Sequence, residues 1–335
     1  MNKTLFIGLI LSSGLFSAQV LESDNYDSYT LGNVGTEFTG TTPGQGGMYL
    51  FNGVASDYQI ASIDAAHGKS LQITGGAASA AAANRYVWKD PAAGLEPGWA
   101  GRTEGNDYLV GELEIYTGTA TGAHRIGSAV YGTDGIGIVG ITYNTSSKTI
   151  NGLARLDNGA GTVSFYNITG LTTATWPANT WIKVGYSYEY NSGTITYTIA
   201  GSSVTLTIAG YTTPAGIDAS EHDIIMPYIT GNAAALTSAV DNVTLEANSV
   251  AQLGTSQVGQ IGDVKLSVYP NPATDVLTVN SASKVKAAKV YDVTGKQVNA
   301  SVQGNQIDVK NLAKGVYILN VSTEKGSESV KFIKK

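Results

Sequence analysis

After the first twenty residues, the chain is dominated by alternation of apolar and polar positions. Residues 181–190 (WIKVGYSYEY) place Trp181, Lys183, Gly185, Ser187 and Glu189 opposite Ile182, Val184, Tyr186, Tyr188 and Tyr190. A period of two is the signature of a half-buried strand. Asn191-Ser192-Gly193 then reads as a turn, 194–199 as a strand, Gly201-Ser202-Ser203 as a turn and 204–208 as a third strand. That succession is a β-meander. Residues 111–116 (GELEIY) and 163–168 repeat the pattern. Even spacing of such strands over residues 19–247 predicts an all-β fold, a two-sheet sandwich of jelly-roll type. Trp181 and the row Tyr186, Tyr188, Tyr190 read as core and cross-strand partners.

Three segments depart from this pattern. Residues 1–18 have a charged start at Lys3, a short apolar run (LFIGLIL, 5–11) and a small-residue exit at Ala18. This is the form of a secretory signal peptide cut after Ala18, and the apolar run is short for a membrane span. Residues 248–265 have no period and read as a linker. Residues 266–335 return to short strands, at 266–269, 276–279, 289–293, 306–309, 315–321 and 329–333. Pro270-Asn271-Pro272 forms a rigid turn between the first two, because proline fixes φ and removes a donor. So many strands in so short a tail predict a small immunoglobulin-like β-sandwich.

Composition narrows the chemistry. Of 335 residues, 42% are hydrophobic and only 14% charged, with 41 Gly and 19 Tyr. Large cores are affordable, and the surface is covered by Thr, Ser, Asn and Gly. The chain has no cysteine, which removes disulfides, thiol catalysis and Cys-zinc sites. Its three histidines, His67, His124 and His222, are scattered. Residues 19–265 carry nine Lys or Arg against twenty-one acids, whereas residues 266–335 carry ten Lys against five acids. An acidic body argues against nucleic acid as a partner.

The tail carries four ordered motifs: Tyr269-Pro270-Asn271-Pro272, then Val290-Tyr291-Asp292-Val293-Thr294-Gly295-Lys296, then Leu312-Ala313-Lys314-Gly315-Val316-Tyr317-Ile318-Leu319-Asn320-Val321, and finally Lys331-Phe332-Ile333-Lys334. Together they resemble the type A C-terminal sorting domain of the type IX secretion system of Bacteroidetes. The resemblance implies export across both membranes, with the type IX machinery and a sortase-like peptidase as partners. The product is then secreted or attached to the outer cell surface. None of these tail residues is expected to be catalytic. The body, through 23–35 (SDNYDSYTLGNVG) as an opening strand, 181–201, and 239–245 (AVDNVTL) as a last strand, resembles concanavalin-like and laminin-G-like jelly rolls.

Four groups of body residues suggest chemistry. Glu112 and Glu114 share one face of a strand, about 7 Å apart at the backbone. Two carboxylates at such spacing can serve as acid and nucleophile in glycoside cleavage. Some jelly-roll glycosidases carry three alternating acids on such a strand. The third alternating position here is Tyr116, so the set is incomplete. His124 and Arg125, with Tyr131 beyond them, suggest the polar set of a polysaccharide lyase without its usual motifs. Asp24, Asp27 and Asp241 fall near the first and last strands and could hold a structural Ca²⁺, which prefers oxygen ligands. Trp88, Trp99, Tyr131 and Tyr143 fall in or near loops, where aromatic faces can stack on sugar rings. The sequence therefore reads as an exported protein whose body is a non-catalytic carbohydrate-binding or adhesion module. A polysaccharide-degrading enzyme, hydrolase or lyase, and a structural surface protein are the alternatives.

Overall fold

The computed structural model describes residues 18–119, 121–251, 267–269, 273–280, 285–292, 297–323 and 326–335. These residues form two compact units that divide between 256 and 257. The signal segment before Ala18, most of the linker, and Pro270, Asn271, Pro272, Gly295 and Lys296 lie outside the described residues.

The body is a sandwich of two antiparallel sheets. Its strands are β1 (Gln19–Asp24), β2 (Gly32–Asn33), β3 (Tyr49–Phe51), β4 (Tyr58–Ala61), β5 (Ser70–Gly75) and β6 (Arg85–Trp88). A short helix, α1 (Leu95–Ala100), precedes β7 (Tyr108–Tyr116), β8 (Arg125–Gly132), β9 (Gly137–Asn144), β10 (Thr149–Asp157) and β11 (Val163–Ile168). The meander follows as β12 (Trp181–Glu189), β13 (Ile195–Ile199) and β14 (Ser202–Thr205). β15 (Ala219–Met226) and β16 (Leu236–Asn248) close the body. The first sheet runs β14-β13-β12-β7-β16-β5-β4-β2, with β1 also paired to β16. The second runs β11-β10-β9-β8-β15-β6-β3. This is the all-β, jelly-roll-type sandwich that the alternation predicts.

Strand β16 holds the first sheet together. One edge pairs with β7 along most of its length. The other pairs with β5 through residues 236–240 and with β1 through 243–247. The change of partner falls at a bulge between Asp241 and Thr244, where Asn242 adopts φ +49°. An extra residue in one strand bends it and increases local twist, which lets one strand serve two neighbours.

The core between the sheets is aliphatic, with tyrosines that reach across it. Tyr186, Tyr188 and Tyr197 are fully buried. Tyr197 donates its hydroxyl to the Leu153 carbonyl of the opposite sheet at 2.9 Å, and the Tyr186 hydroxyl lies 3.2 Å from Ser128 Oγ. A buried hydroxyl without a partner would cost on the order of 1–3 kcal/mol, so these bonds fix how the sheets face one another. Glycine makes room for the rings: a Cβ on Gly152 would lie 2.4 Å from Tyr197 Cζ.

Two local expectations change. Residues 25–31 form turns rather than a strand, and Tyr26 sits at φ +56° with its ring buried. Trp181 is not core: it lies on the outer face of the first sheet, because it shares a parity with Lys183 on β12.

The tail unit forms two four-stranded sheets. One contains β17 (Ser267–Tyr269), β18 (Val276–Asn280), β21 (Ser301–Gln303) and β22 (Gln306–Asp308). The other contains β19 (Val285–Asp292), β20 (Gln297–Val298), β23 (Gly315–Thr323) and β24 (Gly326–Lys334). Leu277, Val279, Val290, Ile307, Leu319, Val321 and Phe332 fill its core. Tyr317 and Phe332 are direct cross-strand partners with stacked rings 5.6 Å apart. The last residue is tied down, because Lys335 N donates to the Ala273 carbonyl at 2.9 Å. Gly315 opens β23, and Tyr291 and Asp292 end β19. Lys331 lies on β24.

Phe332→Ala removes a fully buried ring and should destabilise the tail by about 3–5 kcal/mol. Calorimetry of the full chain should show a tail transition at lower temperature and an unchanged body transition.

Candidate functional site

Because successive side chains alternate faces, the outward positions of the second sheet follow from its register. On β3 they are Tyr49 and Phe51, and on β6 they are Tyr86 and Trp88. Tyr131 ends the outward row of β8, and Phe165 stands on β11. Six aromatic rings therefore share one face of one sheet. Tyr49 stacks on Trp88 with centroids 5.8 Å apart and planes at 17°. Phe51 and Tyr86 are 6.3 Å apart, and Tyr131 and Phe165 are 5.9 Å apart. Phe51 is 41% exposed and the other five are half-buried.

Between the aromatic strands the face is low. Ala129, Leu153 and Ile225 are buried there beneath Tyr86, Tyr131 and Phe165. Gly127, Gly137 and Gly140 add no side chain. A Cβ on Gly137 would come within 2.4 Å of the Phe165 ring, so this ring can lie flat only over glycine. Seven strands at a spacing of roughly 4.8 Å make the face about 29 Å wide.

Polar groups stand among the rings. Asp223 is opposite Trp88 on one side and Ala129 on the other. Glu221 lies two residues earlier on β15, across from Tyr131. The two carboxyl groups are close enough that each changes the proton affinity of the other. Burial pushes both pKa values up, and the Glu221 charge pushes Asp223 well above the carboxylate range. The pair therefore retains a proton where isolated carboxylates have lost theirs. Burial also raises the Tyr131 hydroxyl, with Asp223 adding to the shift. Asp223 Oδ1, Thr142 Oγ1 and Arg125 Nε are buried polar atoms with no hydrogen bond to a described residue.

The residues singled out from sequence divide among several places. Trp88 and Tyr131 lie on this face, and so does Arg125, opposite Asn144 on β9. His124 is next to Arg125 and so points the other way. It is fully buried, against Gly75 of the first sheet, and burial lowers its pKa. The two cannot form one site. Trp99 is fully buried, its indole N–H donating to Asp218 at 3.2 Å and the Arg102 guanidinium 4.1 Å from its ring centre. Tyr143 faces inward and donates its hydroxyl to the Trp176 carbonyl. Neither presents a face to solvent.

Glu112 and Glu114 do share a face, on the outer side of the first sheet. Glu112 Oε2 lies 3.2 Å from Lys183 Nζ. Glu114 accepts from Asn242 Nδ2 at 2.5 Å and lies 3.6 Å from His67 Nε2. His67 in turn meets Asp64 at 2.8 Å and stacks on Trp181 at 4.0 Å, while the Trp181 indole N–H donates to Asp64. These contacts fasten the 62–69 loop onto the sheet.

The three aspartates are each engaged by other groups. Asp24 accepts from Tyr26 N, from the Tyr29 hydroxyl and from Lys89 Nζ, so a cation already balances its charge. Asp27 caps a turn by accepting from Lys69 N. Asp241 is buried and held at about 6: burial raises it, the Asn242 N–H and His67 oppose this, and Glu114 and Asp27 add to it. Among the described residues no three His, Asp or Glu side chains are grouped to hold a metal.

Sequence reasoning missed Tyr49, Phe51, Tyr86, Phe165, Glu221 and Asp223. The signal was present in YLF at 49–51 and RYVW at 85–88, where aromatics recur at a spacing of two.

Comparison with known proteins places the tail. The model of the secretion system C-terminal sorting domain matches residues 267–335. These residues are a sorting domain of the type IX system, and the protein is exported to the cell surface or the extracellular space. A curated relative, beta-agarase D of Zobellia galactanivorans, is 44% identical over 68 residues. That stretch is 20% of this chain and spans 14% of the agarase. Among solved structures, the binding domain of botulinum neurotoxin serotype D/C is 9% identical, with 91% of this chain and 74% of that one covered at a TM-score of 0.40. A Trypanosoma rangeli sialidase is 13% identical, with 66% and 31% covered at a TM-score of 0.36. Likeness at this level carries no functional argument.

Asp223→Asn tests the electrostatics. Because the folded-state pKa of Asp223 is raised, its stabilising contribution is full below about pH 4 and fades as pH rises through the folded value. The variant should match the wild type near pH 4 and melt at an equal or higher temperature at pH 7.5. A lower melting temperature confined to pH 7.5 would mean that the carboxylate is ionised and partnered.

Proposed function

We propose that the body is a non-catalytic carbohydrate-binding module, carried outside the cell by its sorting domain, and that it takes a polysaccharide on the outer face of the second sheet. The six-ring platform carries this reading. Sugar rings present C–H faces that stack on aromatic side chains, and a polysaccharide repeats that surface along its length. Tyr49, Phe51, Tyr86 and Trp88 supply one end of the platform, and Tyr131 and Phe165 the other. The bare floor at Gly127, Ala129 and Gly140 lets a chain approach closely. Glu221, Asp223 and Arg125 are placed to meet its hydroxyls. The type IX machinery and a sortase-like peptidase are the partners of the tail.

The Glu221–Asp223 pair favours a second reading, a polysaccharide-degrading enzyme, since a carboxyl with a raised pKa can act as a general acid. Retaining and inverting glycosidases, however, hold their two carboxyls roughly 5–9.5 Å apart, with substrate or water between them. Asp223 is buried between Trp88 and Ala129, so the pair does not present two open carboxyls to a substrate, and this supports binding over cleavage.

Binding to a panel of soluble polysaccharides, followed by affinity electrophoresis, tests the proposal. Trp88→Ala and Tyr131→Ala should each weaken binding roughly two- to tenfold, matching about 0.5–1.5 kcal/mol per stacked ring. Trp181→Ala should not. Release of reducing or unsaturated ends that Asp223→Asn abolishes would establish the enzyme reading instead.

A further inference from the structure

Strands β6 and β15 carry the platform on their outer side. Adjacent residues of the same two strands, Lys89 just past Trp88 and His222 between Glu221 and Asp223, line a cavity of about 210 Å³ on the other side. Glu22 of β1, Ser220, Leu21 and Leu95 line it as well, and the 90–94 turn with Asp90 closes one end.

Its central group is His222, whose side chain is 3% exposed. Nδ1 lies 3.0 Å from Glu22 Oε2. Burial would raise the Glu22 pKa, but His222 and Lys89 outweigh it and hold the group below its ordinary value. Glu22 is therefore a carboxylate that can only accept, and Nδ1 carries the proton. The other ring nitrogen, Nε2, is buried and has no hydrogen bond to a described residue. With the proton on Nδ1, Nε2 accepts in the neutral imidazole and donates in the imidazolium. A buried, unpartnered ring nitrogen held in place by a carboxylate, on a residue of the cavity wall, is a site for a sugar hydroxyl, which can donate to the neutral ring or accept from the charged one.

The charges narrow the ligand. Lys89 lies 3.7 Å from Glu22 and 2.9 Å from Asp24, so its charge is already matched and an added anion gains little. A metal ion is disfavoured by the same ammonium group. What remains is a neutral, polyhydroxylated molecule, with hydroxyls for His222 and Ser220 and C–H surface for Leu21 and Leu95. At roughly 30 Å³ per liquid water, the cavity equals about seven water volumes, room for one sugar ring.

We propose that this cavity is a second binding site, separate from the platform, that takes a single sugar ring through a hydroxyl hydrogen-bonded to His222 Nε2. It stands independently of the platform and would persist if the platform bound nothing.

The test uses the exported full-length protein labelled with ¹⁵N-histidine and titrated with D-galactose and with D-glucose. The three histidines give three assignable ring signals. The His222 signal should shift saturably with at least one hexose, while those of His67 and His124 stay still. Trp88→Ala should leave that titration unchanged. Ser220→Tyr, which fills the cavity from a partly exposed position, should weaken it at least tenfold. No His222 shift with either hexose would overturn the proposal. So would an unchanged midpoint in Ser220→Tyr, which would place the sugar elsewhere.

Discussion

Everything in the body depends on the two-residue period of the β-strand. Each strand of a two-sheet sandwich has one side in the core and one in solvent, and adjacent residues cannot share a site. The constraint sorts chemistry at single-residue resolution. It puts Trp88 on the platform and Lys89 in the cavity wall, and separates Arg125 from His124. On β15 it sends Glu221 and Asp223 outward and His222 to the cavity beside Glu22.

The same constraint explains why the core is so rich in tyrosine. Inward rings long enough to cross the sandwich bring a hydroxyl to the opposite sheet, as Tyr197 does at Leu153 and Tyr186 at Ser128. Those bonds set the alignment of the sheets, which in turn fixes where the outward rows stand. The long strand β16 adds the second element of order, because its bulge at Asn242 lets β5 and β1 share one edge. The face proposed for polysaccharide is thus held by hydrogen bonds made on the other side of its strands.

The fold was legible in the sequence because strand alternation is a local signal. WIKVGYSYEY became β12 nearly residue for residue, and the strands of the tail fell close to their expected places. The site was legible only in part. Trp88 and Tyr131 stood out as aromatics, but apart from Tyr86 the rings that join them come from β3 and β11, the two edges of the sheet. Which strands become neighbours is settled by long-range pairing, and no short window of sequence carries that information. Trp99 and Tyr143 were misplaced for a related reason: an aromatic beside a loop looks exposed until the opposite sheet covers it. Glu112 and Glu114 were correctly put on one face, yet Lys183, Asn242 and His67 occupy them, and these partners come from three distant segments.

The most direct test of the account is hydroxyl-radical footprinting, read by mass spectrometry, of the exported protein with and without a polysaccharide that it retains. Tyr49, Phe51, Tyr86, Trp88, Tyr131 and Phe165 should be protected, with Tyr116 and Trp181 on the opposite sheet unchanged. Protection of Tyr116 and Trp181 instead, with the six rings still reactive, would contradict it.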